Sequence, residues 1–261
     1  MDSKTAAVIL CAGMGSRLGL PEGQNKCAVS IAGITPIQYT ASALLDAGVD
    51  SITVVVGYAP ESVKKALSGY SKADRIRFVE NIYYDRHGCN YSLACAMADV
   101  HTEKADRVII AEGDSLLSRN SVKQIVCREE EAASLVRDKS YVNPARSVIA
   151  AGRAGKISRY EYDTSHRGMM PKLAEGECVI GESMQLWLFA GKALGKLRAL
   201  LREYREEAEQ CGKRMLHSGV YSINMLGKKI EPVFSDEPEK WINLNTEDDL
   251  RKAGNTSWII K

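Results

Sequence analysis

The stretch that most constrains this chain is Ala6-Ala7-Val8-Ile9-Leu10-Cys11, an apolar run that stops at Ala12-Gly13-Met14-Gly15-Ser16-Arg17-Leu18-Gly19. A short apolar run bounded by small residues reads as a strand covered on both faces, the pattern of a parallel sheet. Gly13 and Gly15 carry no Cβ, so the backbone beyond the strand can turn sharply and bring its N–H groups close to a ligand. Arg17 and then Lys26 add a planar fork and a point charge, the two cation types that hold phosphates. A strand opening into such a loop points to a nucleoside triphosphate. Two familiar phosphate loops fail on register. A P-loop needs Lys directly after its second glycine, and none stands there. A dinucleotide fingerprint needs a third glycine where Leu18 stands, and an acid ending the second strand where Gly57-Tyr58 stands.

The rest of the first half alternates strand and helix. Helical spacing runs from Pro36 to Ala47 and stops at Gly48, a β-branched strand follows over Ser51–Gly57, and a helix led by Pro60 runs to Leu67. A third strand is expected over Ile76–Glu80, a helix over Asn90–Val100, a fourth strand over Arg107–Ala111 and a helix over Arg119–Glu131. This order argues for an α/β fold with a doubly wound, mostly parallel sheet, whose ligands sit at the carboxyl ends of the strands. From Ala132 the texture changes to short strand-like pieces (Ala133–Arg137, Ser147–Ala151, Leu186–Ala190) between Gly- and charge-rich turns, then a long helix over Lys192–Gln210. Strands are expected again over Gly227–Phe234 and Trp241–Leu244, and Thr246 with Asp249 forms a box-like cap for a last helix. One domain is expected: a nucleotide-binding core over 1–131, an inserted elaboration covering the site over 132–225, and closing elements over 226–261.

Net charge is +2 with Lys and Arg spread throughout, which gives no electrostatic case for nucleic acid. No apolar run is long enough to span a membrane, and Met1-Asp2-Ser3-Lys4 leads straight into the first strand without a signal peptide. The seven cysteines include no C-x-x-C pair and read as reduced cytoplasmic thiols, mostly packed in the core. The apolar end at Trp258-Ile259-Ile260-Lys261 is compatible with a domain fused to another pathway enzyme.

Leu10-Cys11-Ala12-Gly13-Met14-Gly15-Ser16-Arg17-Leu18 with downstream Lys26 resembles the L-A-A-G-x-G-x-R-[LM]…K signature of the nucleotidyltransferase (pyrophosphorylase) superfamily. Gly113-Asp114, Gly181-Glu182 and Trp241-Ile242-Asn243-Leu244-Asn245-Thr246-Glu247-Asp248-Asp249-Leu250 match further motifs in order, so the resemblance covers nearly the whole chain. Asn90-Tyr91-Ser92-Leu93 and the closing segment are similar to the phosphocholine and phosphonate cytidylyltransferase branch. The resemblance implies a Rossmann-like nucleotidyltransferase fold. It also implies transfer of CMP from CTP to a small phosphonate or phosphocholine-like acceptor, with release of pyrophosphate.

The nucleophile in such a reaction is already an anion, so no general base is required, and catalysis is mostly positioning and electrostatics. Lys26 would bridge the attacking oxygens and the α-phosphate. Arg17 and the backbone N–H groups of Gly13, Met14, Gly15 and Ser16 would hold the β- and γ-phosphates. Asp114, at a strand's carboxyl end, is the best candidate to hold Mg²⁺. Glu112 is the second choice, expected to point the opposite way. The resemblance places a second ligand in the closing motif, where this chain has Asn243 and Asn245; an amide oxygen can bind Mg²⁺ but brings no charge. The resemblance also implies that Ala12 and Gly13 read the base, with Asn90 and Ser92 as side-chain partners, although those two residues are equally good helix caps. For the acceptor, Glu182 would hold an ammonium or hydroxyl, and Arg86, His87 and Arg146 its phosphonate. Tyr83, Tyr84, Tyr160, Tyr162, Trp187, Tyr221 and Trp241 are possible aromatic walls, Trp187 above all because it alternates with Leu186 and Leu188. Two other readings remain open: a sugar-1-phosphate nucleotidyltransferase using UTP, dTTP or GTP, and a non-catalytic nucleotide-binding domain.

Overall fold

Strand β1 (Thr5–Cys11) is fully buried and lies between two parallel neighbours, β2 (Ser51–Val56) and β4 (Arg107–Glu112). A computed structural model describes residues 3–211, 221–227 and 229–260 of the chain. Along β1 the side chains part strictly by face. Ala6, Val8 and Leu10 enter one apolar cluster, and Ala7, Ile9 and Cys11 enter the other, which is why the run shows no polar alternation. Helices α1 (Pro36–Asp46) and α2 (Pro60–Leu67) cover the second face. Past β3 (Ile76–Glu80), helix α3 (Cys89–Met97) packs on the first face, followed by the single turn α4 (Val100–Glu103). The expected helix over Asn90–Val100 breaks there because the Asp99 side chain caps a new turn, accepting from His101 N at 3.0 Å.

After β4 come the short β5 (Ser115–Leu117) and α5 (Arg119–Val126). Helix α5 stops short of the expected Glu131. Arg107 Nη2 donates to the Val126 carbonyl at 2.8 Å, the acceptor that a further turn would have used. Strands β6 (Ala132–Asp138), β7 (Ile149–Arg153), β8 (Lys156–Glu161) and β9 (Cys178–Ala190) follow. Then come α6 (Gly191–Cys211), α7 (Tyr221–Met225), β10 (Glu231–Phe234), β11 (Trp241–Asn243), α8 (Glu247–Gly254) and α9 (Ser257–Ile260).

The main sheet runs β10-β6-β9-β4-β1-β2-β3, and β9 is the antiparallel member of an otherwise parallel path. The mostly parallel, doubly wound sheet expected from the sequence is present. β6 and β9 lie within that sheet, so residues 132–225 do more than cover it. The sequence shows only the last third of β9 and misses β8. The expected turn is present at Ala154 and Gly155, between β7 and β8, but Gly152 and Gly181 lie inside strands where backbones approach closely: a Cβ on Gly181 would sit 2.2 Å from Arg137 O, and one on Gly152 1.9 Å from Lys156 O. The cap at Thr246 forms as expected, with Thr246 N donating to Asp249 Oδ2 at 2.8 Å. Among the cysteines whose burial is described, Cys11, Cys27 and Cys95 are buried, whereas Cys89, Cys127 and Cys178 are exposed. Among the described residues, no helix is long and apolar enough to cross a membrane.

Candidate active site

The carboxyl ends of β1 and β4 meet closely enough that only glycine fits between them. A Cβ on Gly113 would lie 2.4 Å from Cys11 Sγ and 2.7 Å from Leu10 O. This contact seats Asp114 against Lys26, and the two form an ion pair. Gly15 takes φ 62, a left-handed conformation, and its missing Cβ leaves room for the Lys26 stem at 3.3 Å. Gly13 needs no such space for the protein itself, since nothing lies within 4 Å of where its Cβ would be; it lines the open cavity.

Lys26 is held by its neighbour. Asn25 is fully buried, and its Nδ2 donates to Cys11 O at 2.8 Å and to Tyr58 O at 2.9 Å, while its Oδ1 accepts from Cys27 N at 2.9 Å. One side chain thus ties the end of β1, the turn after β2 and the turn carrying Lys26. Asn25 has no role in the reading of the sequence above; its place directly before Lys26 is the available signal.

A cavity of about 260 Å³ opens at these strand ends. The β1 end and α3 contribute Ala12, Gly13, Cys89 and Ser92; the β4 end and the following turn contribute Glu112 and Asp114 beside Arg17 and Lys26. Residues 146–187 add Arg146, Val148, Tyr162, Gln185 and Trp187, and the closing segment adds Asn243 and Asn245. Gly15, Ser16 and Leu18 line an adjoining depression that shares Arg17, Lys26 and Asn245.

Burial by itself would push the Lys26 pKa down, but the Asp114 carboxylate beside it outweighs that, and the net shift is upward. Lys26 is therefore a fixed cation. Glu112 moves the other way from an ordinary carboxyl. Burial, then the negative Asp114, push it up to about 7, with Lys26 opposing. Glu112 was expected to point away from Asp114, yet both line the cavity, Glu112 as the last residue of β4 and Asp114 in the turn that follows it.

Arg17 Nη2 donates to Asn245 Oδ1 at 2.7 Å, so that oxygen orients the guanidinium and is not free for a metal. Asn243 differs. Its Nδ2 donates to Gln185 Oε1 at 3.1 Å, and its Oδ1 is buried with no partner among the described residues. Among those residues no group of three or more His, Cys, Asp or Glu gathers to hold a metal. The orphaned Asn243 oxygen, with the Asp114 and Glu112 carboxylates on the same cavity, is nonetheless a hard-oxygen donor set that suits Mg²⁺ completed by phosphate oxygens.

Several sequence candidates lie elsewhere. Met14 is 49 % exposed and outside the cavity lining. Asn90, fully buried as the second residue of α3, accepts from Ser222 N at 3.2 Å and so ties α7; its Nδ2 has no partner among the described residues, and it is not part of the cavity lining. Neither Asn90 nor Ser92 caps the helix, whose N-cap is Gly88. Arg86 is exposed off the cavity, and His87 is buried between Tyr83 and Tyr91 with its pKa lowered, first by burial and then by Arg86. Glu182 is buried against Arg137, Nε to Oε2 2.6 Å, and is closed to an acceptor. Trp241 stacks under the same arginine at 4.5 Å and donates to Ser115 Oγ at 2.7 Å. Trp187 and Tyr162 line the cavity, whereas Tyr83, Tyr84 and Tyr160 pack against or within the core, and the side chain of Tyr221 lies outside the described residues. Trp187 does alternate with Leu186 and Leu188, which face the opposite cluster.

A glycine turn, two cations and an aspartate at the carboxyl edge of a mostly parallel sheet define a nucleotidyltransferase-type fold. The CTP:phosphocholine cytidylyltransferase of Streptococcus pneumoniae shares that fold, with a TM-score of 0.66 at 16% identity over 97% of this chain and 98% of that one. The chain belongs to the MobA-like NTP transferase domain family, whose model matches residues 7–178. Among curated relatives, the CTP:phosphoglutamine cytidylyltransferase of Campylobacter jejuni is 36% identical over 139 residues, 52% of this chain and 53% of that protein. The 2-aminoethylphosphonate cytidylyltransferase of Lancefieldella rimae is 34% identical over 122 residues, 46% of this chain and 47% of that protein. The chain therefore spans about half the length of these relatives.

Proposed function

We propose that this chain is a CTP-dependent cytidylyltransferase that transfers CMP to a small acceptor bearing a phosphate or phosphonate and releases pyrophosphate. The observation that carries the reading is the gathering of Arg17, Lys26 and Asp114 on one cavity at the strand ends. The cytidylyltransferase relatives, with phosphoglutamine and aminoethylphosphonate among their acceptors, support CTP as the donor.

The reaction is an in-line attack by an acceptor oxygen on the α-phosphorus, with pyrophosphate leaving from the far side. Two anions must approach, so the chain's task is to cancel charge and fix geometry. Lys26, held cationic by Asp114, lies where it neutralises the attacking oxygens and the α-phosphate together. Arg17, oriented by Asn245, binds the leaving phosphates with the N–H groups of the Gly13–Ser16 turn. Ala12, Gly13 and Ser92 line the part of the cavity that takes the base. Arg146 and the faces of Trp187 and Tyr162 receive the acceptor. Asp114, Glu112 and the Asn243 oxygen would hold Mg²⁺, which supplies charge neutralisation at the phosphates when bound. In this reading residues 1–131 are the nucleotide-binding core, 132–225 the acceptor side and 226–261 the closing elements.

Pyrophosphate release, measured with CTP, UTP, dTTP and GTP against phosphonates, phosphocholine, phosphoglutamine and hexose-1-phosphates, tests the proposal. CTP with one of the first three acceptor types should be fastest. A faster rate for UTP or dTTP with a hexose-1-phosphate would refute it.

A further inference from the structure

Strand β9 breaks its pairing with β6 in one place. Ser134 faces Trp187 and Val136 faces Ser183, so Met184, Gln185 and Leu186 stand opposite Leu135 alone. Such a bulge re-aims a side chain, and here it re-aims Gln185. The residue takes φ 61, a left-handed conformation that a glutamine adopts only when its surroundings impose it. Its backbone N–H donates to Ser183 Oγ at 3.2 Å. Ser115 Oγ donates to the preceding carbonyl, that of Met184, at 3.3 Å. The bulge is thereby anchored to the segment that carries Asp114.

The strained residue meets a neighbour that needs it. Gln185 lines the cavity, and its Oε1 accepts from Asn243 Nδ2 at 3.1 Å. Asn243 lies opposite Ser115, and the next residue, Leu244, donates its N–H to Asp114 O at 2.9 Å. A carboxylate in this place would present oxygen whichever way it turned. A carboxamide presents oxygen one way and two N–H groups the other, and the second face repels a cation. In the observed arrangement Gln185 Oε1 accepts from the NH₂ end, and Asn243 Oδ1 is the atom left without a partner among the described residues.

We propose that Gln185 is a positioning residue that fixes the Asn243 carboxamide with its oxygen presented to the divalent cation of a bound metal–CTP complex. This rests on the CTP reading above. Strain at Gln185 is maintained because an amide at Asn243 is a usable ligand only in one orientation.

The test is Mn²⁺ binding in the presence of CTP, followed by electron paramagnetic resonance, with thermal unfolding measured in parallel. Gln185→Gly accepts φ 61 without strain, so its Tm should equal or exceed that of the wild type. Its Mn²⁺ affinity should nevertheless fall about tenfold or more, the usual scale for removing a group that orients a ligand. Gln185→Glu keeps the acceptor and should bind Mn²⁺ at least as tightly as the wild type. In an Asn243→Asp background the flip no longer matters, so adding Gln185→Gly should cause no further loss. Wild-type affinity in Gln185→Gly, or an equal loss with and without Asn243→Asp, overturns the proposal. A wild-type protein that takes up no Mn²⁺ with CTP would instead refute the CTP reading, and this inference with it.

Discussion

Between Cys11 and Lys26 the chain is held by neutral hydrogen bonds from one buried asparagine, whereas the wall built from β6 to β9 is held by ion pairs. Asn25 satisfies two carbonyls and one N–H while leaving Arg17 and Lys26 turned to the cavity. Across the cleft, Arg137 holds Glu182, Arg159 holds Glu177, and Asp163 accepts from the N–H groups of Gly168 and Met169 at 3.0 and 3.1 Å. The acids of that wall are consumed in shaping it. Its cavity face is left with Arg146, Val148, Tyr162, Trp187 and Gln185. One wall thus turns its cations to the cavity, whereas the other commits its acids to its own structure, so substitutions on the two walls should fail in different ways.

Lys26→Ala gives the largest expected effect. Removing a cation aimed at developing charge costs on the order of 3–4 kcal/mol, or roughly a hundredfold to a thousandfold in kcat. CTP affinity should fall far less, since Arg17 and the glycine turn remain. Steady-state pyrophosphate release with calorimetric CTP binding separates the two quantities, and unchanged turnover would remove Lys26 from the mechanism. Asn25→Ala should act through the fold. It strands buried carbonyls of β1 and of the turn after β2, costing on the order of 2–4 kcal/mol of stability, readable as a lowered urea midpoint.

The same contrast decides what could be read from the sequence. The parallel core and the glycine turn were legible because their residues are contiguous and their pattern is local: an apolar run, a small-residue turn and two cations. Lys26 and Asp114 are 88 positions apart, yet each follows a strand of the same mostly parallel sheet, so the topology brings them to one edge, where Asn25 and Gly113 seat them. The other wall was legible only in part. Gly181 and Gly152 carry no local sign of the close backbone contacts they make, and Glu182 resembles a free acid until its distant partner Arg137 is known. Gln185 carries no local signal, since its role comes from a mismatch in length between two strands.

Arg146→Ala sharpens the comparison at the next lower magnitude. Arg146 is exposed and lines the cavity on the wall opposite Arg17 and Lys26. A charge-assisted contact to an acceptor phosphonate contributes about 1.5–3 kcal/mol. The acceptor KM should therefore rise roughly tenfold to a hundredfold, with the KM for CTP nearly unchanged. An equal rise in both would place Arg146 on the nucleotide side instead.

Glu112→Gln is the smallest effect and the one most dependent on pH. In the folded chain the Glu112 carboxyl is pushed up to about 7 by burial and by Asp114, from 4.5 in the unfolded chain. A raised acid binds its proton more tightly when folded, so stability falls as pH rises from about 4.5 to 7 and stays at the lower level above that. Glutamine has no proton to lose. In metal-free buffer the variant should therefore unfold a few degrees higher than the wild type at pH 8, by about 2–4 °C. The gap should close as the pH approaches 4.5. Saturating Mg²⁺ with CTP should reverse the order at pH 8, because the ionised carboxylate then gains a cation that the amide binds less well. Thermal unfolding across that range, with and without Mg²⁺ and CTP, reads both halves. A gap that persists unchanged at low pH would show that Glu112 acts through packing and carries no charge penalty.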